Sequence, residues 1–218
     1  MKNRKLQILS TGTALAAVLC VLSARNATYA NDADPTHSSK TLAVLQNVYW
    51  DWQLGQISLA PDADGNPVMG GNIALMPIPS APGDGTPASI RVALQSGQEF
   101  FLPLWNLLGN SYTNGSQDGL IPLKVFQTLD IQFKIDGETI LDRDEVMDHY
   151  SQFYFNPAIP FNSPPVTAWI WLQGVSILHG PLAPGKHVLK LDVKNTDTKD
   201  LFGLTIEYHN TWNVTVKP

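Results

Sequence analysis

The sequence predicts an all-β fold, an antiparallel β-sandwich of jelly-roll type with one N-terminal amphipathic helix. Three observations predict it. Apolar and polar residues alternate with a period of two from Leu204 to Lys217 and again from Leu129 to Ile135, the spacing of strands with one buried face. Elsewhere, short apolar runs are separated by turn signals drawn from 16 Gly and 16 Pro, as in sandwiches and barrels. Only Lys40 to Leu54 combines helical spacing with helical length.

In chain order, residues 1–30 have the pattern of a cleavable secretory signal. Lys2, Arg4 and Lys5 form a basic start, an apolar run extends from Leu6 to Leu22, and Thr28-Tyr29-Ala30 offers small residues at the two positions a signal peptidase reads. A cut after Ala24 is the alternative site. A retained anchor is disfavoured because Ser10, Thr11, Gly12 and Thr13 interrupt the run, and a bilayer needs ~20 apolar residues. Lipidation at Cys20 is disfavoured by the bulky Leu19 before it. Residues 31–38 lack apolar periodicity and form a flexible leader to a single domain over 39–218.

Within that domain, Leu42, Leu45, Tyr49 and Trp52 mark one helix face, with Gly55 ending the helix. Pro61 to Pro87 reads as loop, with a short strand at Asn72 to Met76. Ile90 to Leu94 and Glu99 to Trp105 flank Ser96-Gly97 and read as a hairpin. Asn106 to Asp118 reads as a further loop, punctuated by Gly109, Asn110, Asn114 and Gly115. The strand Leu129 to Ile135 runs into Asp136-Gly137, a pair suited to a tight primed turn, so Glu138 to Leu141 folds back on it. Asp142 to His149 has the look of a helical turn. Val166 to Leu172 and Val175 to Leu178 flank Gln173-Gly174 as another hairpin, and strands His187 to Val193 and Leu204 to Lys217 complete the set.

Charge and cysteine content narrow the function classes. The first thirty residues hold four basic side chains (Lys2, Arg4, Lys5, Arg25) and no acidic one. Of the 14 Lys+Arg and 19 Asp+Glu in the chain, ten and all nineteen therefore remain after cleavage, a formal charge of nine negative. Nucleic acid and anionic membrane are poor partners for such a chain, since both require Lys and Arg to neutralise phosphate. Cys20 is the only cysteine and leaves with the signal, so the mature chain has no disulfide and no thiolate metal site. Charged residues make up 15% of the chain, below the usual ~25%, so uncharged polar side chains cover much of the surface. Export to the periplasm or the exterior is the expected localisation.

Three stretches carry a resemblance. They are Arg91 to Asn106 with its Phe100-Phe101-Leu102-Pro103 core, Ile135-Asp136-Gly137 followed by Tyr150 to Phe155, and Gly180 to His187 followed by the final strand Glu207 to Val216. Together with Tyr49, Trp50 and Trp52 in the helix, they resemble a group of uncharacterised secreted bacterial β-sandwich proteins. The resemblance implies the fold and the export and brings no activity with it. The cysteines usual in that group have no counterpart in the mature chain.

Several constellations carry chemistry. Asp62-Ala63-Asp64-Gly65-Asn66 has the start of a calcium loop, but Ile73 stands where the bidentate Glu belongs, which favours an Asp-Gly turn. Asp142, Asp144, Glu145 and Asp148 lie beside His149 and form the better calcium or acid-base candidate, although a solvated turn accounts for them as well. Glu207 and His209 share a strand face two residues apart, which suits general-base work or a metal. His187 falls on the apolar face of its strand, where burial with one backbone hydrogen bond explains it. Trp169 and Trp171 share one face of their strand by alternation. They form either core or, extended by Tyr150, Phe153, Tyr154 and Phe155, a platform for stacking sugar rings.

No nucleophile elbow, paired-His metal motif or phosphate-binding Gly loop is present. The leading expectation is a non-catalytic binding or structural module whose ligand is an extracellular glycan held by Trp169, Trp171, Tyr150 and Tyr154, without a cofactor. The alternatives are an acid-base or metal-assisted hydrolase using Glu207 and His209, and an assembly subunit pairing through an edge strand, with the C-terminal strand as the candidate edge.

Overall fold

A computed structural model describes residues 39–195 and 205–218. The expected signal segment and leader lie outside the described residues. Helix α1 (Ser39–Gln53) is followed by β1 (Val68–Met69), β2 (Ile73–Leu75), β3 (Ala88–Gln95) and β4 (Glu99–Tyr112). A short α2 (Lys124–Gln127) leads to β5 (Asp130–Ile135), β6 (Glu138–Leu141) and a 3-10 turn at Arg143–Glu145. The long strands β7 (Tyr150–Ser163), β8 (Val166–His179), β9 (Gly185–Asn195) and β10 (Ile206–Lys217) complete the order. Among the described residues no helix is long and apolar enough to cross a membrane.

The ten strands form two five-stranded sheets, ordered β1-β2-β4-β8-β7 and β3-β10-β9-β5-β6. One apolar cluster joins them, with Phe100, Leu102, Trp171 and Ile177 of the first sheet and Phe133, Leu191, Trp212 and Val214 of the second. A second cluster sets α1 on the other face of the first sheet, where Leu42, Leu45, Tyr49 and Trp50 meet Phe101, Trp169 and Leu172. The first sheet is thus covered on both faces. The helix needs that contact, because an isolated helix of its length is marginal in water, and the Tyr49 hydroxyl fixes it by donating to the Met76 carbonyl at 2.9 Å.

The all-β expectation stands, but an antiparallel-only arrangement does not. β2 pairs with β4 and β3 pairs with β10 in parallel. The expected hairpin across Ser96-Gly97 is likewise replaced by a crossing between sheets. β4 is apolar on both faces, with Phe100, Phe101, Leu102 and Leu104 all buried, so it occupies the interior of the doubly covered sheet. β3 has one wet face and takes an edge of the other.

Two expected turns are strand interior. β4 continues through Asn106 and Gly109 to Tyr112, and β8 passes through Gln173-Gly174 unbroken. The glycines there serve close packing. A Cβ at Gly109 would fall inside the Trp171 indole, and one at Gly174 would overlap the Asn106 carboxamide. Asn106 itself pairs with Gln46, a fully buried helix residue that also accepts from Ser151. By contrast, Asp136-Gly137 makes the expected turn, with φ of 53° and 91°, and β6 pairs back on β5.

The C-terminal strand is not an edge. β10 is hydrogen-bonded to β3 on one side and β9 on the other, because its inward residues Ile206, Asn210, Trp212, Val214 and Val216 reach the centre of the core. The edges are β3 and β6 in this sheet and β1 and β7 in the other. β7 carries Pro157 and Pro160, which lack the N–H that further pairing would use.

Candidate functional site

Among the described residues no helix covers the outward face of the second sheet. On β9 the outward residues Lys186, Val188, Lys190, Asp192 and Lys194 are exposed, while Leu189, Leu191 and Val193 are buried. Strand register sets Lys194 between Asp130 of β5 and Glu207 of β10, and Asp192 between Gln132 and His209. The 3-10 turn after β6 adds Asp142, Arg143 and Asp144, and Asp142 caps it by accepting from the Asp144 N–H at 3.0 Å. These groups border a cleft of about 530 Å³.

His209 is the centre of the cleft's hydrogen bonding. Its Nδ1 lies 2.6 Å from Asp192 Oδ1 and its Nε2 lies 3.2 Å from Glu207 Oε1. Lys194 Nζ is 3.3 Å from the other Glu207 oxygen. Carboxylates are acceptors only, so a ring facing one at each nitrogen is favoured in the form that carries both protons. The Asp192 hydrogen bond accordingly holds the His209 pKa above its ordinary value. Glu207 is pulled below the usual carboxylate range, first by the His209 hydrogen bond and then by Lys194. In that doubly protonated form the ring has no lone pair with which to take a proton, and an ionised Glu207 has no proton to give.

Of the expected acidic cluster, Asp142 and Asp144 reach the cleft and Asp148 lies outside it. Among the described residues no three His, Cys, Asp or Glu side chains are arranged to hold a metal ion. The Asp62 loop is satisfied by the protein itself. Asp62 accepts from the backbone N–H groups of Asp64 and Asn66 at 2.8 and 2.9 Å, and from the side chains of Asn66 and Gln98 at 2.9 and 3.0 Å. Asp64 pairs with Gln95 and Lys217.

Trp169 and Trp171 do not share a face. Gly109 pairs with Trp171 and Asn110 with Trp169, so Ile170 is an extra residue on β8 and the bulge reverses the alternation. Trp171, 1% exposed, lies between the sheets and donates from Nε1 to the Asp118 carbonyl at 3.0 Å. Trp169, 7% exposed, packs toward α1 and stacks on Phe161 at 4.2 Å. Tyr150 is half-buried against Phe126, whereas Tyr154 is 59% exposed on the edge strand β7. The four aromatic residues thus do not converge, while Glu207, His209, Asp142 and Asp144 do.

His187 has a partner besides the backbone. Its Nδ1 is 2.6 Å from Asp136 Oδ2 and its Nε2 is 2.8 Å from the Ala183 carbonyl. The first of these raises its pKa most. The other Asp136 oxygen accepts the Val188 N–H at 2.8 Å and so ties the β5–β6 turn to β9.

Sequence reasoning missed Asp192, Lys194, Asp130 and Gln132. Alternation places each on a wet face, but only the strand order β10-β9-β5 places them together. No family model matches the chain, and no curated protein matches it.

Proposed function

We propose that the chain is an exported β-sandwich of jelly-roll type that acts as a non-catalytic binding module, and that an extracellular glycan is held in the cleft on the outward face of β5, β9 and β10. The observation that supports this reading is the state of His209. Bonded by a carboxylate at each nitrogen, it is a fixed donor in a row of paired donors and acceptors, and a sugar's hydroxyls exchange hydrogen bonds with such a row at little cost in reorganisation. The net charge left after signal cleavage disfavours nucleic acid and membrane surfaces as partners, and neither metal nor cofactor is required. Amide chemical shifts recorded during titration with a panel of soluble glycans test the reading. Shifts confined to Asp192, Lys194, Glu207 and His209 are expected. Silence across the panel, or shifts only around Tyr154, would reject the cleft as the ligand site.

A second reading, hydrolysis using Glu207 and His209, is favoured by one observation, the convergence of these two residues with Asp142 and Asp144 on the same cleft. It requires His209 to give up one carboxylate partner when substrate binds. Turnover of chromogenic glycosides or esters that is abolished by Glu207→Gln would establish it in place of the binding module.

A further inference from the structure

Immediately beside the cleft, one row of side chains crosses all five strands of the second sheet. In register it runs Thr139 of β6, Lys134 of β5, Lys190 of β9, Thr211 of β10 and Ser89 of β3. All five are outside the core, and at ~4.8 Å per strand the row is about 19 Å wide. It places two ammonium groups directly opposite each other and contains no carboxylate. Like charges so placed weaken a sheet, and the two lysines stand in a chain with an excess of acidic residues.

The nearest carboxylates do not relieve them. Asp192, two residues along β9 from Lys190, is bonded to His209. Asp136, in the turn that follows β5, is bonded to His187 on the opposite face of β9 and to the Val188 N–H. Lys134 and Lys190 have no ion pair or hydrogen-bond partner among the described residues. Arg91 and Lys186, in the rows beyond, are likewise without an ion pair among them. The two lysines thus face each other across the ladder with no counter-ion in their own row.

Resting on the glycan reading above, we infer that this row binds the acidic groups of a polyanionic glycan, a chain bearing carboxylates or sulfates. Lys134 and Lys190 share one acidic group, and the hydroxyls of Thr139, Thr211 and Ser89 bond the sugar on either side. The chemistry of the row selects this class. Two cations flanked by three hydroxyls match an isolated anion on a hydroxyl-rich polymer. Among the described residues the outward face offers no exposed aromatic ring on which a nucleic acid base would stack.

The test is isothermal titration of the full mature chain with polygalacturonate, dextran sulfate, uncharged dextran and a DNA duplex. It is repeated with the double variant Lys134→Gln, Lys190→Gln and with the charge-conserving pair Lys134→Arg, Lys190→Arg. At least one of the two acidic polymers should bind, and whichever binds more tightly identifies the acid. Its affinity should fall by about tenfold in the glutamine variant, the size expected from losing two exposed ion pairs, and should be kept by the arginine variant. Relief of the like-charge contact should leave the melting temperature of the glutamine variant unchanged or raised, and Lys190→Gln alone, at a fully wet position, supplies the same readout. Equal binding of the acidic polymers by wild type and glutamine variant, or DNA bound as tightly as either, would overturn the inference. Uncharged dextran bound while the acidic polymers are not would overturn it yet leave the binding module standing. No polymer bound at all would remove both.

Discussion

Gly109 decides between two readings of the same sequence. It is not among the glycines with positive φ, so alanine is compatible with the backbone. Were Gly109 loop punctuation, Gly109→Ala would reduce unfolded-state freedom and stabilise the protein by about 0.4–1 kcal/mol. In the observed strand, a methyl group at this position overlaps Cε2, Nε1 and Cδ2 of Trp171. That ring is fixed between the sheets and hydrogen-bonded to the Asp118 carbonyl. Overpacking costs about 1–3 kcal/mol, and displacing the indole from its acceptor adds about 1 kcal/mol. The expected destabilisation of about 2–4 kcal/mol corresponds to a melting temperature lower by roughly 5–15 °C for a domain of this size. Thermal melts followed by tryptophan fluorescence measure it. Trp171→Phe in the same chain should recover part of the loss non-additively, because the smaller ring makes room for the methyl. An unchanged or raised melting temperature for Gly109→Ala would refute the packing of β4 on β8.

Gly174→Ala, which drives a Cβ into the Asn106 carboxamide beside Gln46, should cost about 1–3 kcal/mol in urea denaturation, whereas a turn glycine without positive φ would tolerate it. His187 has a raised pKa and Asp136 a lowered one. The histidine's contribution is therefore complete below its unfolded pKa of ~6.5 and lost as pH rises through the folded value, while the aspartate's is lost as pH falls through its own depressed value. The melting temperature should accordingly fall on going from about pH 6 toward pH 8. That slope should flatten in Asp136→Asn, and an equal slope in the variant would deny the pair a role. Asp62→Ala removes the acceptor of four hydrogen bonds and should lower stability by about 1–3 kcal/mol, while added calcium should leave the wild-type melting temperature unchanged. A rise with calcium would show that the loop binds the ion after all.

The legible parts of the fold are those with one wet face. β5 and β10 alternate because core lies on one side and water on the other, and Asp136-Gly137 is legible because its conformation is local. β4 and β8 are not legible in this way. Buried against the second sheet on one face and α1 on the other, they lose the period of two, and their glycines and asparagines, retained for contact with Trp171 and Gln46, imitate turns. The bulge at Ile170 misplaces the tryptophans for a related reason, since one added residue reverses every side chain beyond it. Glu207 and His209 were visible because a strand pair two residues apart needs no tertiary knowledge. Asp192 and Asp136 acquire meaning only through pairing partners 17 and 51 residues away.

The proposed binding role draws on the asymmetry between the sheets. The helix covers the outward face of the first sheet, so Phe101, Trp169 and Leu172 are committed to packing against it. Among the described residues the second sheet has no such cover, and its charged and hydroxyl side chains alternate against a closed core. On that face His209 holds one oxygen of Asp192, and the adjacent row sets Lys134 opposite Lys190 with no carboxylate. A surface selected only for solubility gains nothing from opposing two lysines across a ladder. A surface that must leave two cations open for an acidic ligand gains by that arrangement, because the cations are already in place and no internal ion pair has to be broken when the ligand arrives.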